Sequence, residues 1–182
     1  MKESMTMMID HIWMIPLIIL NPLSGIGIWK MIYDKVVLVT GGFDPIHSGH
    51  ISYFNRAREL SDRLIVGVNS DEWLRRKKGL YFLPWKERVE IIFNLRMVDD
   101  VITVPDDDEG SACGSIAKCL EIADKVIFCN GGDREKTNIP EINMYKDNSR
   151  VEFKFGIGGD NKINSSSLIL NDYFWQRKLL GV

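Results

Sequence analysis

Short apolar runs alternate with amphipathic segments along most of the chain. Five runs rich in β-branched residues, each bounded by polar or glycine-containing stretches, predict β-strands. They are Val36–Thr40, Leu64–Asn69, Val98–Val104, Lys125–Asn130 and Val151–Phe155. Apolar residues at helical spacing lie between them, at Trp85, Val89, Ile92 and Phe93 and at Ile116, Cys119, Leu120 and Ala123. Regular alternation of strand and helix predicts an α/β fold with a parallel sheet and helices on both faces.

Polar segments follow four of the predicted strands. They are GGFDPIHSGH at 41–50, NSDEWLRRKKG at 69–79, NGGDR at 130–134 and GIGGDNKINSSS at 156–167, and we interpret them as loops. In a parallel sheet, ligands bind outside the carboxyl ends of the strands, where the order of the strands reverses. The four segments therefore predict one ligand site at that edge of the sheet.

The first of these loops carries two histidines at the expected start of a helix over Ile51–Leu60. His47 and His50 are three residues apart, so they share one side of a helix. Gly49 lies between them and would let a bulky group approach the backbone. Free amides and the helix dipole favour an anion at a helix N-terminus. Two imidazoles beside that anion could donate hydrogen bonds to phosphate oxygens that gain charge as the phosphorus centre becomes five-coordinate.

Composition and charge narrow the classes of function. The chain has 182 residues, as expected for one domain, and a formal net charge of −2, which argues against nucleic-acid binding by bulk electrostatics. Three cysteines without a Cys-x-x-Cys pair favour a reduced, cytoplasmic protein over a disulfide framework or a zinc site. The Gly-x4-Gly-Lys-Ser/Thr and Gly-x-Gly-x-x-Gly patterns are absent, so ordinary P-loop and dinucleotide sites lose their main support.

One N-terminal stretch has the composition of a membrane or targeting segment. The stretch Ile12–Trp29 is uncharged, as in a membrane segment or a signal peptide, but prolines and glycines interrupt it. We favour a leader of uncertain status over residues 1–30, assign it no function, and regard a membrane role as the weaker interpretation. Residues 31–182 are expected to form the functional domain, and Met31 could itself be a start residue.

Three motifs occur in an order that is typical of one family. They are GGFDPIHSGH, with the Phe43-Asp44 pair ahead of the histidines, RMVDDVI at 96–102, and Asn164-Ser165-Ser166-Ser167. From Met31 to about Leu170 the chain resembles the His-x-Gly-His nucleotidyltransferases, also called the cytidylyltransferase-like superfamily. The resemblance implies a Rossmann-like three-layer sandwich with a five-stranded parallel sheet.

The resemblance also implies a reaction and its residues. A phosphate oxygen of an acceptor attacks the α-phosphorus of a nucleoside triphosphate, and pyrophosphate leaves without a covalent enzyme intermediate. His47 and His50 would be catalytic, holding the triphosphate and stabilising the transition state. Mg²⁺ would arrive bound to the triphosphate, so no metal ligands from the protein are expected. The implied nucleotide-binding residues are Gly41, Gly42, Phe43, Asp44, Gly49, Gly132, Asp133, Ser165, Ser166 and Ser167.

The family also suggests residues for the acceptor phosphate. Lys78, in a Lys-Gly pair after the second strand, is the main candidate and is grouped with the catalytic residues; Lys77 is second. Arg88 and Arg134 complete the predicted acceptor-binding set. Each has a simpler interpretation: a solvated basic face for the lysines, a surface helix arginine for Arg88, and a tight turn around Arg134.

The substrate and the class of protein stay open at this point. Three segments look most like the heptose 1-phosphate adenylyltransferases: Asn69-Ser70-Asp71, Lys78-Gly79 and Gly131-Gly132-Asp133. This favours AMP transfer to a sugar phosphate or polyol phosphate. CTP-dependent glycerol 3-phosphate cytidylyltransferases are the alternative. Pro45 is instead typical of the pantetheine-phosphate and nicotinamide-mononucleotide groups, although the serines lack a trailing arginine. A non-catalytic nucleotide-binding protein is a further alternative. A homodimer is left open, since no segment shows a clear apolar interface.

Overall fold

A computed structural model describes residues 33–106, 111–131, 139–158 and 164–181. Within them, strands and helices follow one another as the apolar pattern predicts. They are β1 (Tyr33–Gly41), α1 (Ser48–Arg58), β2 (Leu64–Val68), α2 (Asp71–Lys78), α3 (Trp85–Phe93), β3 (Asp100–Thr103), α4 (Cys113–Ile122), β4 (Ala123–Cys129), α5 (Pro140–Tyr145), β5 (Val151–Lys154) and α6 (Ser166–Leu180). The predicted leader, residues 1–30, lies outside the described residues, so the proposed domain division stays a prediction.

The five strands form one parallel sheet in the order β3-β2-β1-β4-β5. β1 is central, and it pairs with β2 on one side and with β4 on the other. The chain moves outwards from β1 to β3 and then returns to place β4 against the free side of β1. The order of the strands therefore reverses beside β1, and the crevice at its carboxyl end is where such sheets bind ligands.

The two faces of the sheet bury two separate sets of apolar side chains. Successive residues of a strand point to opposite faces, so β1 supplies Val37 and Val39 to one set and Val36 and Leu38 to the other. The first set packs with residues of α1 and α3, and the second with residues of α4. All four β1 residues are completely buried. The predicted α/β sandwich with helices on both faces is confirmed.

Some predicted boundaries were wrong. The segment interpreted as a loop after the second strand contains α2, which Ser70 caps at its start and Gly79 ends with a φ of 84°. Only Leu74 of this helix is buried, so its sequence shows no apolar stripe. α5 was not predicted from the sequence either. α1 starts three residues before the expected position, with His47 as its capping residue. Among the described residues, no helix is both long enough and apolar enough to cross a membrane.

Candidate active site

The loop after β1 is held tightly against the helices around it. A Cβ atom on Gly42 would lie 2.6 Å from Cδ2 of Leu74, so only glycine lets this loop pack onto α2. Phe43 follows with a φ of 49°, unusual for a residue other than glycine. Its ring is buried and packs edge-on against both Phe54 and His50. The backbone that follows β1 is therefore held in place by the packing of Gly42 on α2 and of the Phe43 ring on α1.

The two histidines stack on each other where α1 begins. Their ring centroids are 3.8 Å apart and the ring planes differ by 28°. Nδ1 of His47 accepts a hydrogen bond of 3.1 Å from the backbone N–H of Gly49, which caps the helix. The neutral form of His47 must therefore carry its proton on Nε2, which leaves Nε2–H as a donor. A Cβ atom on Gly49 would lie 2.9 Å from Cε1 of His47, so here glycine makes room for the imidazole rather than for a ligand.

Both imidazoles are neutral at pH 7. Burial, followed by the neighbouring His47 and Lys78, lowers the pKa of His50 to about 3. Burial and Lys78 also lower the pKa of His47. Nδ1 of His50 is buried and has no hydrogen-bond partner among the described residues. A buried polar atom normally has a partner, so this nitrogen sets His50 apart from the other side chains of the loop, whose hydrogen bonds are made by the protein.

Lys78 belongs to the same electrostatic environment. It is the last residue of α2, and its positive charge contributes to the lowered pKa of both histidines. Partial desolvation lowers the pKa of its own ammonium group; the carboxylate of Asp44 opposes that shift and the guanidinium of Arg88 adds to it. The structure thus brings together His47, His50 and Lys78, the three residues that the sequence suggested as catalytic. A bound anion would offset the mutual repulsion of their protonated forms.

The residues at the start of α6 contact the loop between β1 and α1, which carries His47 and is called the histidine loop below. Oγ of Ser166 donates a hydrogen bond of 2.9 Å to the carbonyl oxygen of Pro45, although these residues are far apart in sequence. Oγ of Ser165 caps α6 by accepting from the N–H of Leu168. Two helix N-termini, those of α1 and α6, therefore lie beside one loop, and both favour an anion. Ser166 is buried and its hydroxyl already donates to Pro45, so Ser165 is better placed to donate to a ligand. Ser167 is exposed.

The structure corrects the expectation for Arg88. Its side chain is completely buried, so it is neither a surface arginine nor open to an acceptor. Its guanidinium donates to the carbonyl oxygens of Leu83 (3.0 Å), Gly42 (2.6 Å) and Asn69 (2.8 Å) and forms a 2.6 Å ion pair with Asp71. Arg88 therefore joins the loop after β1 to the residues that follow β2.

Asp44 requires a similar correction. Its carboxylate is buried and accepts hydrogen bonds from the backbone N–H groups of Phe82 (2.6 Å) and Leu83 (2.7 Å). Both oxygens are engaged with protein, so the side chain does not face a nucleotide as predicted. Asp44 and Arg88 together hold the segment between α2 and α3 against the histidine loop. Nothing in the local sequence distinguishes these buried charges from ligand-binding ones.

The other predicted residues fall into two groups. Lys77 is exposed, and its ammonium lies 4.4 Å from the centroid of the Trp73 ring, where it makes a cation–π contact. Gly132, Asp133 and Arg134 lie outside the described residues, so their predicted roles stay predictions. Within the described parts of the chain, no group of three or more His, Cys, Asp or Glu side chains could hold a metal ion.

The chain is similar in sequence to proteins of one family. A family model described as cytidylyltransferase-like matches residues 38–152, more than half of the chain. Bifunctional protein HldE of Hahella chejuensis is 36% identical over 108 residues, which is 58% of this chain and 21% of the relative. HldE of Vibrio atlanticus is 45% identical over 76 residues, 41% of this chain and 16% of the relative. The chain thus spans about a fifth of the length of these relatives.

A solved structure shares the fold. The lipopolysaccharide core biosynthesis protein from Thermoplasma volcanium superposes with a TM-score of 0.52 at 25% sequence identity. The match covers 66% of this chain and 93% of that protein. The similarity therefore extends over almost the whole of a protein built on the same parallel sheet.

Proposed function

The chain belongs to the cytidylyltransferase-like family, and we propose that it is a nucleotidyltransferase that moves a nucleoside monophosphate, with AMP favoured, from a nucleoside triphosphate to a phosphorylated sugar or polyol. One observation carries the proposal. Two stacked neutral imidazoles lie where α1 begins, the charge of Lys78 at the end of α2 acts on both of them, and the start of α6 is bonded to the same loop. Such a concentration of donors and helix N-termini suits a triphosphate.

The proposed chemistry is a direct displacement. An oxygen of the acceptor phosphate forms a bond to the α-phosphorus, while the bond from that phosphorus to the bridging β-phosphate oxygen breaks and pyrophosphate takes the electron pair. The imidazole stack needs no proton exchange with the acceptor, because a phosphate oxygen is already a competent nucleophile. Catalysis then depends on positioning and on donors directed at oxygens that gain charge.

Each residue of the site has a defined task in this scheme. Nε2–H of His47 donates to an oxygen of the triphosphate, since its Nδ1 is held by the capping bond. His50 supplies the second donor from the same stack. Ser165 and the free amides at the start of α6 receive the departing pyrophosphate. Lys78 approaches as a cation from the end of α2 and pairs with the acceptor phosphate.

We propose that magnesium enters as part of the nucleotide substrate. The side chains gathered at the site offer imidazole nitrogens and an ammonium group, whereas Mg²⁺ prefers oxygen ligands and retains several waters. The site therefore does not fit a resident magnesium ion, and phosphate oxygens of the substrate would hold it. The ion would neutralise charge on the triphosphate.

The choice of acceptor rests on coarser support. The similar proteins include bifunctional protein HldE and a lipopolysaccharide core biosynthesis protein, and the second name points to sugar chemistry. The resemblance of Asn69-Ser70-Asp71 and Lys78-Gly79 to heptose 1-phosphate adenylyltransferases points the same way. CTP-dependent transfer to a polyol phosphate such as glycerol 3-phosphate is the second candidate, because the family shares this loop arrangement. We propose that the protein works in the cytoplasm, where its three cysteines would stay reduced.

A substrate matrix tests the proposal. Pyrophosphate release by the full chain would be measured with ATP, CTP, GTP and UTP, each paired with heptose 1-phosphate, glycerol 3-phosphate, phosphocholine, phosphopantetheine and nicotinamide mononucleotide. We expect the highest rate with ATP and a sugar phosphate, and loss of that rate in His50→Ala. A maximum with CTP and glycerol 3-phosphate would select the second candidate. Nucleotide binding without pyrophosphate release for any pair would favour a non-catalytic protein and overturn the proposal.

A further inference from the structure

Tyr53 joins the helix that carries the histidines to the end of a neighbouring strand. It lies on α1, three residues after His50 and so on the same side of that helix. Its hydroxyl donates a hydrogen bond of 2.6 Å to the carbonyl oxygen of Cys129, the last residue of β4. Because Tyr53 is buried, this bond and the packing of the ring fix where the end of β4 lies relative to the start of α1.

The segment that follows β4 packs directly on the Tyr53 ring. A Cβ atom on Gly131 would lie 3.1 Å from Cε2 of Tyr53 and 3.1 Å from the carbonyl oxygen of Ile157. Both distances are tighter than most contacts of a Cβ atom, so a larger residue would displace the ring or the main chain that follows β5. Gly131 fits between the two because it has no side chain.

The segment that follows β5 reaches the same tyrosine. The N–H of Ile157 donates a hydrogen bond of 3.3 Å to the carbonyl oxygen of Asn130, which connects this segment to the one after β4. Gly158 has a φ of 112°, and a Cβ atom built on it would lie 3.5 Å from Cβ of Tyr53. Both segments therefore meet on one residue of α1, and their positions relative to His50 are coupled through it.

The order of the strands assigns the two sides of β1 to different substrates. Lys78, proposed for the acceptor phosphate, ends the helix that follows β2, on one side of β1. β4 and β5 lie on the other side. A nucleotide whose phosphates are held by the histidines after β1 would therefore extend its ribose and base over the ends of β4 and β5. These are the strand ends that Tyr53 contacts.

We propose that Tyr53 is a positioning residue that sets the distance between the triphosphate on the histidines and the nucleoside over β4 and β5. It acts through the carbonyl of Cys129 and the backbone of Gly131 and Gly158, rather than by contact with the reacting phosphates. The inference rests on the proposed function, because it assigns the two halves of one nucleotide to the two parts that Tyr53 joins. Loss of the hydroxyl should weaken binding of a whole nucleotide and spare binding of the triphosphate alone.

Tyr53→Phe in the full chain tests this role, with Tyr145→Phe as the matched control. Tyr145, on α5, also donates from its hydroxyl to a backbone carbonyl, that of Cys113, at 3.0 Å. Titration calorimetry would give the Kd of ATP, CTP and inorganic triphosphate for each protein. In Tyr53→Phe, the Kd of the tighter-binding nucleotide should rise roughly three- to tenfold, and that of inorganic triphosphate should change less than about twofold. Tyr145→Phe should change neither Kd, although its melting temperature should fall by a similar amount.

Gly131→Ala is a second variant, which leaves the tyrosine hydroxyl in place. Its methyl group would press on the Tyr53 ring and on the carbonyl of Ile157, so the same selective loss of nucleotide binding is expected. Equal losses for nucleotide and inorganic triphosphate would overturn the positioning role, as would no loss for either in Tyr53→Phe. A wild-type chain that binds both nucleotides no more tightly than inorganic triphosphate would overturn it as well.

Pyrophosphate release by the wild-type chain tests the proposed function separately. A chain that releases pyrophosphate but shows no selective loss in Tyr53→Phe would keep the proposed function and lose the positioning role. A chain that shows the selective loss but releases no pyrophosphate would keep the positioning role for nucleotide binding and overturn the catalytic proposal.

Discussion

The segment from Gly42 to His50 comprises the loop after β1 and the first residues of α1, and its two halves use their polar atoms in opposite ways. In the first half, the carbonyl of Gly42 accepts from Arg88, the carboxylate of Asp44 accepts two backbone N–H bonds, and the carbonyl of Pro45 accepts from Ser166. In the second half, one nitrogen of His47 caps a helix and the buried Nδ1 of His50 has no partner among the described residues. The polar atoms of the first half therefore have hydrogen-bond partners within the protein, whereas the histidines of the second half have nitrogens left for a ligand.

This difference separates scaffold from chemistry within ten residues. The charged side chains Asp44 and Arg88 resemble ligand-binding groups in the sequence, yet the structure uses both to fix the backbone. The groups left for a ligand are two imidazoles that are neutral at pH 7. A charge near a functional motif is therefore weaker evidence for a ligand contact than a buried polar atom that lacks a partner.

The largest effect is expected when the scaffold half loses Arg88. Arg88→Met would leave three carbonyl oxygens and the carboxylate of Asp71 without their donor, at a cost of about 3–5 kcal/mol in the free energy of unfolding. The melting temperature should fall by roughly 10 °C for a domain of this size. Calorimetry would measure it, with Lys86→Met, an exposed position on the same helix, as control. If the melting temperature were normal and only the KM for the acceptor rose, Arg88 would be an acceptor-binding residue, as the sequence suggested.

Loss of His50 should have the opposite signature. We expect His50→Ala to lower kcat by about 10²–10³, the usual cost of removing one donor to a developing charge. The melting temperature should fall less than in Arg88→Met, because the change removes ring contacts with Phe43 and His47 but no hydrogen bond of Nδ1 to a described residue. Ser52→Ala, an exposed position on the same helix, should leave kcat unchanged and serves as the control. Equal losses of kcat and stability would place His50 in the scaffold.

Lys78 and Lys77 offer a smaller and more selective comparison. Removing one charge-assisted contact with the acceptor phosphate should reduce kcat/KM by roughly 10–100-fold in Lys78→Ala. Lys77→Ala should change it less than about threefold, since its ammonium lies over Trp73. Steady-state kinetics with acceptor and nucleotide varied separately would measure both. A larger effect on the nucleotide than on the acceptor in Lys78→Ala would reassign this lysine.

The last prediction concerns how the free energy of unfolding depends on pH. The pKa of His50 is about 3 in the folded chain and near 6.5 when unfolded, so below pH 6.5 the unfolded state binds a proton that the folded state does not. Stability should thus be unaffected by His50 above pH 6.5 and fall towards pH 3, by at most about 1.4 kcal/mol per pH unit.

Urea unfolding at pH 7, 6 and 5 would measure this slope. His50→Asn should lose less stability than wild type over that range. Saturating inorganic triphosphate should also reduce the loss, because an anion favours the protonated imidazoles. Identical slopes in wild type and His50→Asn would show that His50 titrates normally in the folded chain.

The sequence predicted the parts that depend on local pattern. All five strands, the helices α1, α3, α4 and α6 and the position of the histidines follow from apolar periodicity and helix-start signals. α2 was missed because Leu74 is its only buried residue, so its side chains read as a polar loop. Such a helix owes its place to its caps and to tertiary packing, and a periodic apolar pattern cannot reveal it.

Arg88 and α6 were misjudged for non-local reasons. The partners of Arg88 come from positions 42, 69, 71 and 83, and no sequence pattern records that these positions converge on one guanidinium. The apolar residues of α6 look in the sequence like those of any packed helix, whereas the structure leaves most of the large ones exposed. The roles of Gly132, Asp133 and Arg134 remain predictions.

The carboxylate of Asp44 grips the main chain of Phe82 and Leu83 and none of their side chains. The path of this segment is therefore largely independent of which amino acids occupy it, proline excepted, since proline has no N–H to give. Leu80 and Phe82 follow Lys78 closely in sequence, and their side chains are exposed to solvent, by 52% and 47%. The path of the backbone therefore does not depend on the side chains at these two positions. They can be substituted, in evolution or in a library, without changing the conformation of the loop.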